Sequence, residues 1–378
     1  MDFLSLFARL DGAPLNVGIE LLAIVDATDR AYARALEWIC NQFELTEFRH
    51  SDVIFVQHQC KLRAEREFGA GFTLAQSLAA LKSTLIYLGL EGDAHSIRAL
   101  EGKYFTPEDQ KSVFERHRQI IIRNRREQSE KQFGECHDFD LTGAFVDVNL
   151  FEDGIEAYRI LFHEVGHALH FTNIRAKYAT LRLDMPRFFT EGVAQVFQSL
   201  TIEPQWLQTH VGLTVDQAKC LRMLLDVTDI ITLRANIAFA LFETFAHICQ
   251  DEWKSQWEGK WRELWLSLSS RILLPGTSDV HATGYADYMD RMMFHNFSAT
   301  DVAYAIWIRE QIRMFIKDKC GALYTNCGEL LRSIYRPGGS CSWDNALSEV
   351  GIKLSTAGLR QYFEETFLTT DIGMCSWK

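Results

Sequence analysis

The sequence predicts a mainly helical protein with few and short β-strands. Only six of its 378 residues are proline, and the dipeptides that favour tight hairpin turns are rare. Apolar residues instead recur every three or four positions over long stretches, which is the period of a helix with one buried face. Apolar residues make up 47% of the chain and charged residues 24%, so a large core is available and a disordered chain is excluded.

Eight segments have the helical period, and two have the composition of strands. In chain order the predicted helices are Asp29 to Phe43, Leu74 to Leu88, Pro107 to Gln132, Gly154 to Phe171, Pro186 to Leu200, Asp216 to Val227, Leu233 to Leu268, and Asp301 to Lys319. The predicted strands are Val53 to Gln57 and Ala144 to Leu150. In the second strand, AFVDVNL, apolar and polar residues alternate with a period of two.

The clearest change in composition is a charge-dense stretch from Arg116 to Lys131, followed by a loop-like segment with glycine. We therefore place a boundary near residue 135, between an N-terminal helical lobe (1–135) and a second region (136–378). A basic cluster lies in the charged stretch, at Arg123, Arg125 and Arg126. Its favoured interpretation is a solvated helix face, because glutamates surround it, and binding of an acidic group is the alternative.

Four tryptophans at four-residue spacing are predicted to share one broad helix face. They are Trp253, Trp257, Trp261 and Trp265. Each is rotated by about 40° from the one before it. Packing into the core is the favoured interpretation, and an aromatic wall of a binding cleft is the alternative.

Charge and cysteine content exclude some classes of partner and compartment. The net charge of −11 repels phosphate backbones and anionic lipid, so we expect neither a nucleic-acid nor a membrane partner. The nine cysteines are odd in number and irregularly spaced, which favours reduced thiols and a cytoplasmic location. Asp2 stands where a signal peptide would have positive charge, and no apolar run approaches the length of a membrane span. A secreted effector is left open.

The motif with the clearest chemistry is HExxH, formed by His163, Glu164 and His167 within ILFHEVGHALHF. On a helix this spacing puts both imidazoles on one face, where a single Zn²⁺ can bind both. Glu164 projects beside them and can reach a metal-bound water. The surrounding residues are apolar and none of them breaks a helix, so the context agrees with the motif.

A catalytic zinc needs a third protein ligand, and Glu191 is the leading candidate. It lies in PRFFTEGVAQVF, in a predicted helix that Pro186 opens and that phenylalanines would bury. A carboxylate in so apolar a helix is costly to bury without a partner. The rivals are His170, which points away from the first two histidines on the helix, and Asp184.

Five segments, in this order, resemble the landmarks of the thimet oligopeptidase family of zinc peptidases: LFHEVGHALH, FFTEGVAQVF, HATGY at 281–285, SATDV at 298–302 and IYRPGGS at 334–340. The resemblance covers roughly residues 140–370. It implies a helical two-lobed zinc-peptidase fold around a deep substrate channel, with a small β-sheet near the active site. It also implies one Zn²⁺ per chain and hydrolysis of internal bonds in short or unfolded peptides.

Carried over to this sequence, the family pattern makes His163, His167 and Glu191 the zinc ligands and Glu164 the general base. His281 and Tyr285 would donate hydrogen bonds to the oxyanion or to the substrate backbone. HATGY is one residue shorter than the family pattern, and later family tyrosines fall on methionines. Tyr288 is the candidate substitute, and a missing donor is the alternative.

Two further segments are expected to contact the substrate. Ala144 and Val146 lie in the predicted strand before the motif helix, which fits the edge strand that many zinc peptidases pair with an extended peptide; an ordinary core strand is the alternative. Gly338 and Gly339 allow close approach of a backbone, and a plain tight turn explains them equally well.

The chain is shorter than typical members of the family, so residues 1–135 have no dependable assignment. The expected partner is a peptide substrate, and a monomer is favoured. Two alternatives remain open. One is a dedicated protease of a single protein or modified peptide, and the other is a non-catalytic zinc-containing module that binds peptides; the intact Glu164 argues against the second.

Overall fold

A computed structural model describes residues 17–100, 119–125, 132–139, 143–150, 152–181, 184–249, 257–275, 298–321 and 324–369. These residues form a mainly helical protein with one four-stranded sheet. The predicted fold class is therefore confirmed. Among the helices in these ranges, we find none with the length and apolar character needed to cross a membrane.

The elements are numbered here in chain order. The helices are α1 Val17–Gln42, α2 His50–Phe68, α3 Leu74–Tyr87, α4 Glu91–Ser96, α5 Ile155–Asn173, α6 Arg187–Leu200, α7 Pro204–His210, α8 Val215–Cys249, α9 Trp257–Ile272, α10 Ser298–Cys320, α11 Gly328–Tyr335, α12 Trp343–Glu349 and α13 Ala357–Phe367. The strands are β1 Ile97–Leu100, β2 Gln119–Asn124, β3 Phe133–Phe139 and β4 Gly143–Asn149.

The chain divides into two compact units. The first consists of residues 1–63, 222–307 and 356–378, and the second of residues 64–221 and 308–355. The predicted boundary near residue 135 falls inside β3, within the second unit. The assignment of a separate N-terminal lobe therefore stays a prediction. The two compact units are divided at other positions of the chain, after residues 63, 221, 307 and 355.

The sheet belongs to the second unit and has the order β1-β2-β4-β3. The pairs β1–β2 and β2–β4 are parallel, and β3 runs antiparallel to β4. Every residue of β4 is buried, as expected for a strand with neighbours on both sides. Helix α5, which carries the HExxH motif, packs against β3 and β4.

Two predicted elements are wrong. Val53 to Gln57 is not a strand but lies in α2, because Val53, Val56 and Cys60 form the buried side of a helix that a five-residue window does not reveal. Part of the helix predicted from Pro107 to Gln132 is strand β2, whose consecutive isoleucines are buried on both faces of the sheet. Residues 101–118 and 126–131 lie outside the described ranges.

The remaining helix predictions agree with the structure in type, although several boundaries differ. The structure starts α1 at Val17, earlier than predicted, and continues α8 from Val215 to Cys249 through what we had predicted as two helices. Phe239 and Phe242 of α8 pack against Trp265 of α9 within the first unit. Trp265 is fully buried and stacks on Phe239, which confirms the core interpretation for this tryptophan. Trp253 lies outside the described residues.

The basic cluster does not form a solvated helix face. Arg123 and Arg125 lie at the end of β2 and pair with the carboxylate of Asp147 on β4. Asp147 is 2% exposed. Burial alone would raise its pKa, but the hydrogen bonds and charges of the two arginines outweigh burial and lower the pKa. For Arg123 and Arg125, an ion pair within the sheet replaces both the solvated helix face and the binding of an external acidic group. Arg126 is outside the described residues.

Candidate metal centre and active site

The N-terminus of α5 is held by a carboxylate from α2. The Oε2 and Oε1 atoms of Glu65 accept hydrogen bonds from the backbone N–H groups of Ile155 and Glu156, both at 3.0 Å. These are two of the N–H groups that a helix cannot satisfy internally, and a negative charge there also complements the helix dipole. Gly154, with a φ of 139°, makes the turn into the helix. The motif therefore starts from a fixed helix end.

Helices α5 and α6 approach each other closely because the motif contains Gly166. A Cβ atom at this position would lie 2.8 Å from Cα of Ala194 and 2.9 Å from its carbonyl oxygen. Phe188, Phe189 and Val193 bury the apolar side of α6. With that side buried, Glu191 on the first turns of α6 faces the two motif histidines.

The side chains of His163, His167 and Glu191 converge on one point. The two Nε2 atoms are 3.2 Å apart, and Oε2 of Glu191 lies 3.3 Å from His163 Nε2 and 3.7 Å from His167 Nε2. Ligands at about 2.0–2.2 Å from a tetrahedral zinc are separated by about 3.3 Å. The three separations match this geometry, and two imidazoles with one carboxylate are a donor set that zinc accepts. The residues therefore fit one Zn²⁺.

A fourth side chain orients the first histidine. Nδ1 of His163 lies 3.2 Å from Oε1 of Gln198, which leaves Nε2 directed toward Glu191 and His167. Such partners fix the ring orientation of metal-binding histidines. Gln198 is not among the site residues predicted from the sequence. Its only sequence signal is its position two turns after Glu191, on the same face of α6.

The close approach of these groups changes their pKa values. Burial alone would raise the pKa of Glu191, but the close contacts with His163 and His167 and the charges of these histidines lower it well below its usual range. Burial alone would lower the pKa of His163, but the hydrogen bond and charge of Glu191 raise it, as does the charge of Glu164. The carboxylates of Glu191 and Glu164 thus favour a positive charge at His163.

Glu164 lies beside the metal-binding cluster, on the side of α5 that faces β3. It is 8% exposed, and burial raises its pKa despite the charges of His163 and His167. A carboxylate with a raised pKa is a better proton acceptor than an exposed one. Gly134 on β3 borders its side chain.

The rival ligands are placed elsewhere. His170 is fully buried and packs its ring against Phe189 and Tyr335. Asp184 lies beside Gly339 in the loop before α6. Among the residues that the structure describes, His163, His167 and Glu191 form the one group of three or more metal-binding side chains that is found.

The expectation that Ala144 and Val146 line an edge strand is wrong. Both lie on β4, which pairs with β2 on one side and β3 on the other, and both are fully buried. Their backbone groups are therefore not available to a substrate. Of the described strands, β3 is the edge strand next to α5.

Gly338 and Gly339 form a 3₁₀ turn after α11. Gly338 has a φ of 50°, which explains one glycine as a turn residue. A Cβ atom on Gly339 would lie 2.7 Å from backbone oxygens of Leu181 and Asp184. The turn thus accounts for Gly338, and the close approach predicted for Gly339 is made by the protein's own chain before α6.

The three predicted hydrogen-bond donors, His281, Tyr285 and Tyr288, lie outside the described residues. Their roles as hydrogen-bond donors to the substrate stay predictions. The described part of the site is therefore the candidate metal site of His163, His167 and Glu191, with Glu164 and the strand β3 beside it, all within the second unit.

Comparison with known proteins agrees with this site. A sequence model described as peptidase family M3 matches residues 150–358, which is more than half of the chain and includes the HExxH motif, Glu191 and Gln198. No curated protein is significantly similar to the chain.

Solved structures with a similar fold have low sequence identity. A protein named oligoendopeptidase F is 12% identical with a TM-score of 0.50, over 87% of this chain and 61% of its own. PZ peptidase A is 11% identical with a TM-score of 0.50, over 91% and 62%. An oligoendopeptidase F from Bacillus anthracis is 10% identical with a TM-score of 0.50, over 86% and 57%. The chain thus spans about three fifths of the length of these proteins.

Proposed function

The chain belongs to peptidase family M3, a family of metal-dependent peptidases, and from this premise we propose that it is a zinc-dependent peptidase. Its proposed reaction is hydrolysis of internal bonds in short or unfolded peptides. Glu164 is the proposed general base, and His163, His167 and Glu191 are the proposed ligands of one Zn²⁺.

The observation that carries the proposal is the convergence of His163, His167 and Glu191 at zinc-ligand separations, with Glu164 next to them. A zinc ion bound there supplies a Lewis acid and lowers the pKa of water toward about 7. A binding module needs no base, so the presence of a buried carboxylate beside the cluster favours a hydrolase.

Each side chain of the site has a separate role in the proposed reaction. The two histidines and Glu191 hold the centre, and Gln198 keeps the ring of His163 in place through Nδ1. The carboxylate of Glu164 accepts a proton from the attacking water and delivers it to the leaving amine nitrogen. His281 and Tyr285, with Tyr288, are proposed to donate hydrogen bonds to the substrate oxyanion. Losing one such donor typically slows a reaction by about a hundredfold or more.

An extended peptide would bind by adding a strand to the sheet at β3. This strand has one neighbour among the described strands, and its residue Gly134 borders Glu164. Backbone hydrogen bonds to such an edge hold a peptide without strict sequence preference. This role replaces the one predicted for Ala144 and Val146.

A reducing compartment, the cytoplasm, is proposed for this activity. Seven cysteines of the described part of the chain are free thiols: Cys40, Cys60, Cys136, Cys220, Cys320, Cys327 and Cys341. Thiols in such number persist where the cell keeps cysteine reduced. We also propose that the protein acts as a monomer on peptide substrates and binds neither nucleic acid nor a membrane.

The experiment measures bound metal and cleavage of a fluorogenic peptide library by the purified protein. We expect about one zinc per chain, cleavage of several peptides, and loss of cleavage in Glu164→Gln with zinc retained. Glu191→Ala should lose both zinc and cleavage. Glu156→Gln, the same substitution two turns earlier on α5, is the matched control and should cleave like the wild type.

Two outcomes would contradict the proposal. A zinc-loaded wild type that cleaves nothing would favour a binding module. Full cleavage by Glu164→Gln would mean that another group is the base.

A further inference from the structure

Gly134 on β3 lies directly against Glu164, and we infer that it is a positioning residue for this carboxylate. The inference rests on the proposed function, in which Glu164 is the general base. A Cβ atom on Gly134 would lie 2.5 Å from Cγ of Glu164 and 3.0 Å from its Oε1. Both distances are well below the carbon contact distance of about 3.5 Å. Any larger residue at position 134 therefore displaces the side chain of Glu164.

Glu164 has little room to accept such a displacement. The nearest atom, Cγ, is close to the backbone of α5 and cannot swing away like the end of a flexible side chain. Ile160 stands one turn earlier on the same side of α5, and its Cγ2 would lie 2.9 Å from the same added Cβ. Glu164 itself is 8% exposed. The carboxylate is thus confined between α5 and β3.

The backbone does not require glycine at position 134. Its φ is outside the left-handed region, and it pairs in register with Val148 of β4. Glycine in a strand reduces stability because it has no side chain to pack and loses more conformational entropy. A glycine with an ordinary φ in a strand often marks a close approach of another group. Here that group is Glu164.

The same face of β3 continues past Gly134 to Cys136. Residues two apart in a strand project to the same face of the sheet, and burial together with the negative charge of Glu164 raises the pKa of the Cys136 thiol. The opposite face of β3 is exposed at Phe133, Glu135 and His137. The face with Gly134 and Cys136 is therefore one wall of the space that holds Glu164.

An alanine at position 134 is expected to turn the carboxylate away from its working position. A misplacement of about 1 Å in an active site can lower the rate by about a hundredfold. The three atoms nearest to the added Cβ belong to Glu164 and Ile160 and not to a proposed zinc ligand, so zinc binding should survive. The effect should appear in kcat, because substrate binding along β3 uses backbone groups that the substitution leaves in place.

The experiment compares four zinc-loaded, full-length proteins: wild type, Gly134→Ala, Glu164→Ala, and the double variant. Thermal unfolding is measured for all four proteins. Zinc content, and kcat and KM on a fluorogenic peptide, are measured for the wild type and for Gly134→Ala. Gly92→Ala is the matched control, because a Cβ at Gly92 has no atom within 4 Å. It is made in both the wild-type and the Glu164→Ala background.

We expect Gly134→Ala to lower kcat by about 10- to 100-fold with zinc content and KM within about twofold of wild type. We also expect it to lower the unfolding midpoint clearly less in the Glu164→Ala background than in the wild-type background, because Cγ and Oε1 of Glu164 are then gone and the contact with Cγ2 of Ile160 remains. Gly92→Ala should shift the midpoint equally in both backgrounds.

Equal losses of midpoint from Gly134→Ala in both backgrounds would overturn the inference, because they would show a role independent of Glu164. An unchanged kcat would overturn it as well. If Gly134→Ala fails to fold, the double variant decides: recovery of folding supports the inference and continued failure overturns it. A wild type that cleaves no peptide would instead refute the proposed function, and the unfolding comparison would still test the contact.

Discussion

Gln198 shows how one side chain outside the HExxH motif can determine metal affinity. Its Oε1 lies 3.2 Å from Nδ1 of His163. We expect Gln198→Leu, which keeps the size but removes the acceptor, to weaken zinc binding by about 10- to 100-fold. Competition with a zinc chelator measures this. Gln195→Leu, one turn away on α6, is the control, since the Gln195 Oε1 has no hydrogen-bond partner among the described residues; equal effects of both would contradict the role of Gln198.

Glu243 is a buried carboxyl group that predicts a pH dependence of stability in the first unit. It is 5% exposed, and burial raises its pKa to about 7. The pKa of Glu243 is higher in the folded protein than in the unfolded chain. The stability that protonated Glu243 contributes is therefore fully present below the unfolded pKa, and it is lost as the pH rises through about 7. We expect Glu243→Gln to match wild type near pH 4 and to be more stable by up to about 3 kcal/mol at pH 8.

Chemical denaturation at both pH values measures the difference in free energy of unfolding for Glu243→Gln. Glu263→Gln is the control, because Glu263 is an exposed carboxylate on α9. It should show no such pH dependence. A Glu243→Gln variant with the same advantage at both pH values would show that the effect comes from packing and not from ionisation.

At the scale of elements, the contact between α5 and α6 depends on Gly166. Replacing glycine by alanine within a helix usually stabilises it, by up to about 1 kcal/mol. At position 166 we expect the opposite, a loss of about 1–3 kcal/mol, because the added Cβ would press on the backbone of Ala194. The shift of α6 should also move Glu191 and weaken zinc binding.

Denaturation and zinc titration of Gly166→Ala measure both effects. Gly259→Ala in α9 is the matched control, since a Cβ there has no atom within 4 Å. It should be neutral or stabilising. A stable Gly166→Ala with normal zinc affinity would mean that α6 is positioned by other contacts.

At the scale of the whole molecule, the sequence predicted what depends on local spacing and missed what depends on distant neighbours. The HExxH spacing and the helical period fix α5 and place its histidines on one face. The isoleucines of β2 were predicted as helix because a strand buried on both faces has no alternation. The central position of β4 depends on β2 and β3, so the alternation in AFVDVNL could not reveal it. Gln198 and Gly134 gain their roles from neighbours on other elements.

The net charge of −11 yields a last prediction, on how the protein meets its substrate. A negative field attracts basic peptides and repels acidic ones before any contact forms, and salt screens it with a Debye length of about 10 Å at 0.1 M. We expect kcat/KM for a peptide flanked by lysines to fall as salt rises from about 0.02 M to 0.3 M. The same peptide flanked by glutamines should not change, and flanking glutamates should give a rise. A parallel change for all three would indicate a salt effect on the protein itself, because steering depends on the sign of the substrate charge and a change in the fold does not.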